Sequence, residues 1–217
     1  MQKRIPALPL FLLTAGSALA TPSGLNNIPT GDTVPHRTVA VQVFDTFGNG
    51  PHDLWAGFKT GWDFSPVHLE WGLDSHLAPD PTGPLYFQTK LGFEPWQDGK
   101  FALGVANIGL TDTGRAGDPF TYAVLTQDLH FARLSLGYGL QNDNNTVLIG
   151  LDRTWKVLDR NLNLNADLVQ TNDQSNWLAS VGFKYDLSEH IVLEGWANLP
   201  DEGEASVMAK INFVFKF

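Results

Sequence analysis

The sequence predicts an all-β protein, a transmembrane antiparallel up-and-down β-barrel of about 12 strands. Short segments of alternating polarity recur along the chain, and turn-forming residues separate them. No stretch after residue 20 has the about 18 apolar residues of a transmembrane helix, yet the chain contains 7 Trp, 14 Phe and 4 Tyr. A barrel reconciles these features, because its strands alternate lipid-facing apolar and lumen-facing polar residues.

Residues 1–20 have the pattern of a secretory signal peptide. Lys3 and Arg4 precede a short apolar run over 5–13, and a small-x-small site over 18–20 follows. The apolar run is too short to span a bilayer. We therefore expect export, with cleavage after Ala20.

The mature chain is predicted to be one domain, a barrel over 38–217, preceded at 21–37 by an irregular periplasmic lead-in rich in Pro, Asn, Thr and Gly. Alternation and turn signals predict strands near 38–47, 54–63, 67–76, 84–93, 100–110, 120–130, 133–142, 146–155, 161–170, 176–186, 190–199 and 205–217. Alternatives of about ten or about fourteen strands stay open, because the segments around Gly104 and Val124 alternate poorly.

The connections between strands support this order. Those from odd to even strands are polar and often longer, whereas those from even to odd strands are mostly tighter, with 94–99 and 156–160 as longer exceptions. Outer-membrane barrels have short periplasmic turns and longer external loops. Both termini of the barrel are therefore expected on the periplasmic side.

Composition argues against several functions. The chain has no Cys, so it lacks disulfides and soft metal ligands. The formal net charge is −9, and loss of Lys3 and Arg4 leaves 12 of the 14 basic residues against 23 acidic ones. Such an acidic chain is not expected to bind nucleic acid.

No catalytic, metal or cofactor site is predicted. Lipid-cleaving barrels resemble one another in placing Ser and His two residues apart on an outward strand face, and no His-x-Ser occurs here. His68 and Glu70 are the only close same-face pair of potential ligands, which does not make a metal site. The loops 142–145 and 201–204 offer oxygen ligands to a hard cation, but such polar loops are more often solvated turns.

Charged residues on the polar strand faces are predicted to line the lumen. They are Lys59, Glu70, Asp74, Lys90, Asp152, Asp167, Lys184, Glu194 and Lys210. The turn positions predict that Lys59 lies opposite Glu70 and that Asp74 lies near Lys90. They also predict that Glu194 lies between Lys184 and Lys210. Such pairs would either form a constriction that selects ions or small solutes, or form a network that stiffens the wall and fills the lumen.

The last strand has apolar residues at alternate positions and ends in an aromatic residue, with Phe213, Phe215 and Phe217 on one face. This resembles the assembly signal of Gram-negative outer-membrane β-barrels, which the barrel insertion machinery reads. With the signal peptide, the resemblance covers both ends of the chain, while the middle matches only in periodicity. It implies a bacterial outer-membrane location, contact with outer-membrane lipid, and the insertion machinery as a partner during biogenesis.

The function expected from these features is a narrow, passive, porin-like channel for ions or small polar solutes. About 12 strands fall between closed barrels of about 8 strands and aqueous channels of 16–18. Three alternatives stay open: a closed structural or surface-binding barrel, an outer-membrane lipid hydrolase, and a secreted soluble β-sandwich or lipocalin-like binder. The Trp residues fall mostly towards strand ends, which predicts aromatic girdles at the two membrane interfaces.

Overall fold

The computed structural model describes residues 23–48, 52–142, 144–171 and 176–217. Antiparallel strands form a closed barrel in which every strand pairs with its sequence neighbours and β1 pairs with β12. The strands are β1 (Thr38–Phe47), β2 (Asp53–Phe64), β3 (Val67–Ala78), β4 (Leu85–Trp96), β5 (Gly99–Gly109), β6 (Phe120–Asp128), β7 (Arg133–Gln141), β8 (Asn144–Val157), β9 (Arg160–Thr171), β10 (Asn176–Asp186), β11 (Ile191–Pro200) and β12 (Ser206–Lys216). A short helix, α1 (Thr113–Ala116), lies between β5 and β6. The predicted fold class and the count of 12 strands are confirmed.

Alternating polarity determines which side chains enter the barrel. On β3, Glu70 and Asp74 are buried inside, while Leu69 and Leu73 lie on the other face. On β12, Lys210 is buried on the inner face. Successive strand residues point to opposite faces, so the two-residue period fixes the facing of each strand.

The two ends of the barrel differ in their connections. At the near end, where β1 begins and β12 ends, the connections are 65–66, 97–98, 129–132, 158–159 and 187–190. At the far end, the longest connection is 110–119, which contains α1. The expected difference in length is confirmed.

Two near-end connections are shorter than the sequence predicts. β4 extends to Trp96 and β8 extends to Val157, so each connection is reduced to two residues. Leu158 and Asp159 both have positive φ, at 51° and 61°. Positive φ at both central positions is the geometry of a tight hairpin turn, and it is uncommon for a residue such as Leu.

Residues 23–37 of the predicted lead-in are described, and residues 23–34, which we call the inner segment, lie inside the barrel, whereas 35–37 are exposed. The lead-in is irregular, as predicted, with isolated bridges from Gly24 to Pro29 and from His36 to Gly61. Leu25, Ile28 and Val34 are buried. The sequence did not predict this interior position.

Apolar side chains fill the interior towards the far end. This far-end cluster consists of Phe44, Trp55, Tyr86, Ala102, Ala106, Tyr122, Val124, Trp196 and Met208, with Ala116 and Phe120 packed against it. Its rings are in contact, since Trp55 lies 6.1 Å from Phe44 and 5.8 Å from Tyr86 between centroids. The girdle prediction is therefore wrong for Trp55 and Trp196, which are 4% and 5% exposed on the inner face.

Within the described ranges, no helix has the length and apolar character needed to cross a membrane. The predicted signal peptide, residues 1–20, lies outside the described residues.

Candidate functional site: the occupied lumen

The charged residues predicted to line the lumen all lie on the inner faces of their strands. Seven are buried: Lys59, Glu70, Asp74, Lys90, Asp152, Asp167 and Lys210. The side chains of Lys184 and Glu194 are 26% and 11% exposed. Their role in solute passage stays a prediction.

The predicted row of charges on the last strands is present. Lys184 lies opposite Glu194, and Glu194 lies opposite Lys210. The Lys184 ammonium lies 3.5 Å from a Glu194 carboxylate oxygen. Asn212 donates a hydrogen bond of 2.7 Å to the same carboxylate. These contacts link three consecutive strands on the inner wall.

The other two predicted pairings are wrong. Lys59 lies opposite Gly72, because the β2–β3 turn occupies 65–66 and shifts each partner by two residues. Glu70, rather than Asp74, lies opposite Lys90, and their charged atoms are 3.9 Å apart.

Asp74 instead interacts with inner-wall amides. Gln42 and Gln88 donate to its two carboxylate oxygens at 2.5 and 3.4 Å. All three side chains are at most 1% exposed. This carboxylate is therefore held inside the wall by hydrogen bonds from β1 and β4.

Carboxylates of the wall bind the backbone of the inner segment. Glu70 accepts hydrogen bonds from the backbone N–H groups of Ser23 and Val34, both at 2.7 Å. One oxygen of Asp167 accepts from the N–H groups of Asn26 and Asn27, at 2.8 and 3.0 Å. Hydrogen bonds to an ionised group are stronger than hydrogen bonds between neutral groups. Glu70 therefore anchors the segment at its two ends, and Asp167 anchors it at residues 26–27.

Lysines of the wall bind its carbonyl groups. Lys90 donates to the carbonyl oxygens of Ser23 and Thr30, at 2.7 and 3.4 Å, and to that of Asp32. Lys184 donates to the carbonyl oxygen of Gly24. The wall thus satisfies backbone groups that would otherwise be buried without partners.

Glycines of the wall leave room for the inner segment. A Cβ atom on Gly150 would lie 2.5 Å from a methyl group of Leu25 and 2.6 Å from one of Ile28. A Cβ atom on Gly61 would lie 1.8 Å from the carbonyl oxygen of Val34. Both strands need glycine at these positions for the segment to approach so closely.

Asp32 fixes the inner segment at the near end. Its carboxylate lies 2.9 Å from the Lys100 ammonium and also contacts the Arg133 guanidinium. Burial alone would raise the pKa of Asp32, but the charges of Arg133 and Lys100 outweigh burial and hold this pKa below its ordinary value. Asp32 therefore remains ionised over the usual working range of pH.

Asp32→Asn should loosen the inner segment with only a small loss of stability. The ion pairs are partly exposed, so we expect about 1 kcal/mol or less. A lowered pKa contributes stability above the unfolded value, near 3.9, and loses it only at more acidic pH. At pH 7, cleavage of the inner segment by a non-specific protease should therefore be faster for the variant than for wild type. A variant cleaved no faster than wild type would contradict this role.

Open space surrounds the near-end part of the inner segment. Clefts of about 320, 260 and 510 Å³ are each lined in part by Asp32. A cavity of about 30 Å³ lies deeper, between residues 24–29 and the wall. The interior therefore contains open, charged space around the near-end part of the inner segment and a cluster of apolar side chains towards the far end.

Among the described residues, no three His, Cys, Asp or Glu side chains lie close enough together to hold a metal ion. The loop 142–145 contains Asp143, which lies outside the described residues.

Sequence reasoning missed the inner segment, its partners Lys100 and Arg133, and the far-end cluster. One signal was available: Leu25, Ile28 and Val34 are apolar residues within an otherwise polar stretch. A short polar segment that retains spaced apolar residues is a candidate for burial.

The closed 12-stranded barrel resembles outer-membrane porins and channels in fold. Solved structures of similar fold include a KdgM porin in complex with disordered oligogalacturonate, with TM-score 0.56, 8% identity, and coverage of 82% of this chain and 99% of that one. The NanC porin has TM-score 0.54 and 9% identity, with coverage of 82% and 99%. The COG4313 outer membrane channel from Pseudomonas putida F1 has TM-score 0.55 and 10% identity, with coverage of 87% and 100%.

At these identities the likeness concerns the fold. No protein-family model and no curated protein matches the sequence.

Proposed function

We propose that this protein is a porin-like channel of the bacterial outer membrane, exported by a cleaved signal peptide. At rest its inner segment occupies the lumen, and ions or small polar solutes pass when that segment moves aside. The observation that carries this proposal is how the segment is bound. Glu70, Lys90 and Asp167 hold it through its backbone, by reversible polar contacts.

The open, charged space at the near end supports passage of polar solutes. Displacement of the segment would expose both signs of charge on the wall, including Lys90, Lys184, Glu70 and Asp167. Charged rings in a narrow pore select ions and small solutes. In this proposal the near end faces the periplasm, and the far-end cluster limits passage to small molecules.

A closed structural barrel is the second candidate, and the far-end cluster favours it. Phe44, Trp55 and Trp196 are almost completely buried, as in a protein core. A lumen packed in this way would stabilise the wall without conducting. The two candidates differ in whether the inner segment controls a current.

A reversible disulfide between the inner segment and the wall tests the proposal. A Cβ atom on Gly92 would lie 2.9 Å from the Thr33 Cγ2 atom, so Cys side chains at both positions are placed to form a bond. The chain has no native Cys to compete. We expect the oxidised Thr33→Cys/Gly92→Cys protein to lose the openings that the reduced protein shows in planar bilayers, and a reductant to restore them.

The matched control is the single variant Thr33→Cys, which should conduct equally under both redox conditions. Absence of current from wild-type and reduced protein would favour the closed structural barrel. A current that oxidation of the double variant leaves unchanged would show that the inner segment does not control the path.

A further inference from the structure

Lys59 is the inner-wall lysine that forms no salt bridge among the described residues. Lys90 lies 3.9 Å from Glu70, and Lys184 lies 3.5 Å from Glu194. Lys210 lies opposite Glu194 in register. Within the described residues, Lys59 forms no salt bridge and no hydrogen bond through its ammonium group, although it is only 8% exposed. Its charge acts on Glu70 and Glu194, but these two carboxylates form their salt bridges with Lys90 and Lys184.

Lys59 faces the cavity of about 30 Å³ between the inner segment and the wall. Lys184 and Lys210 also line this cavity, and Glu194 is the one carboxylate among its described lining residues. If Glu70 is assigned to Lys90, Glu194 to Lys184 and the nearby Asp74 to Lys210, the positive charge of Lys59 is in excess among these residues.

Two further donors belong to residues that line the same cavity. The indole N–H of Trp196 and the side-chain amide of Asn26 are buried and have no hydrogen-bond acceptor in the part of the chain that the structure describes. Buried donors normally have a partner. The Lys59 ammonium group, the Trp196 indole N–H and the Asn26 amide N–H are therefore three donors without a hydrogen-bond acceptor, and an anion would accept from all three.

We propose that this cavity binds one small monovalent anion, of the size of chloride or bromide. The ammonium group of Lys59 supplies the principal charge, and the N–H groups of Trp196 and Asn26 donate to the anion. A cavity needs roughly 10–15 Å³ to hold one water molecule. This cavity, of about 30 Å³, therefore accepts a monoatomic anion and excludes larger organic anions. The site lies between the inner segment and the wall and does not depend on whether the barrel conducts.

Bromide is the probe, and the full-length protein in detergent is the sample. We expect an anomalous scattering peak beside Lys59 in crystals grown with sodium bromide. We also expect the thermal unfolding midpoint to rise with bromide and to saturate, whereas sodium gluconate at equal ionic strength has no such effect, because only the folded state binds the ion.

Lys59→Met and Trp196→Phe should each weaken bromide binding, by about tenfold or more for Lys59→Met, as judged from the half-saturating concentration. In gluconate, Lys59→Met should unfold at the same temperature as wild type or higher, because it removes a buried charge that forms no salt bridge. The control Lys156→Met, at an exposed position on β8, should retain the bromide response. Equal midpoints in bromide and gluconate, with no peak in the cavity, would overturn the proposal in favour of bound water alone.

Discussion

Glu70→Gln is expected to release the inner segment and to destabilise the folded barrel by about 3–5 kcal/mol. Glu70 is 1% exposed, accepts the N–H groups of Ser23 and Val34, and lies 3.9 Å from Lys90. The amide cannot supply the negative charge that Lys90 faces, so a buried ammonium group is left without its counter-charge. Urea unfolding and protease cleavage of the inner segment measure the two effects separately.

The double variant Glu70→Gln/Lys90→Met is the matched control. It removes both charges, so part of the lost stability should return. The inner segment should stay accessible to protease, because Lys90 no longer binds the carbonyls of Ser23 and Thr30. A single variant with wild-type stability and wild-type protease resistance would show that these contacts do not hold the segment.

Replacement of Phe213 and Phe215 with Asp should largely prevent accumulation of folded barrel in the outer membrane, and deletion of Phe217 should do the same. Phe215 is 49% exposed on the outer face, and the Phe217 ring contacts Trp62 of β2 at 5.7 Å. A lipid-facing acidic residue costs less than the about 2–4 kcal/mol of a basic residue at the midplane. The main loss is therefore expected in assembly, and heat-modifiable mobility of membrane fractions measures it.

Phe183→Asp is the control for this prediction. Phe183 lies on the outer face of β10 and is 41% exposed, close to the value for Phe215. The Phe183→Asp variant introduces the same charge on another strand. It should therefore reduce stability but leave more folded barrel in the membrane than the last-strand variants do. Equal yields from all these variants would mean that the last strand has no special role in assembly.

The period of two determined much of the fold from sequence. The side chains of Glu70 and Asp74 on β3, and of Lys184 on β10, point into the barrel, as the alternation predicts. Turn signals located every strand to within a few residues, because Pro, Gly, Asn or Asp interrupts the alternation at most hairpins. The row formed by Lys184, Glu194 and Lys210 followed from these two local signals alone.

Register was less well determined, because it depends on the length of each turn. Because the β2–β3 turn occupies 65–66, Lys59 lies opposite Gly72 and not opposite Glu70, its predicted partner. A shift by two residues keeps every side chain on its face, so the pattern of polarity does not detect it. Only the paired strands decide which residues are neighbours.

Local sequence patterns were enough to specify the strands of alternating polarity, the closed barrel and its charged inner face. Tertiary structure alone decided what fills that barrel. The inner segment has no period, and its position depends on carboxylates and lysines from β3, β4, β9 and β10 that converge on its backbone only after the barrel closes. Likewise, Phe44, Trp55 and Trp196 meet only when β1, β2 and β11 share one lumen. Local patterns specify which way each side chain points, whereas contacts across the lumen depend on closure of the whole ring of strands.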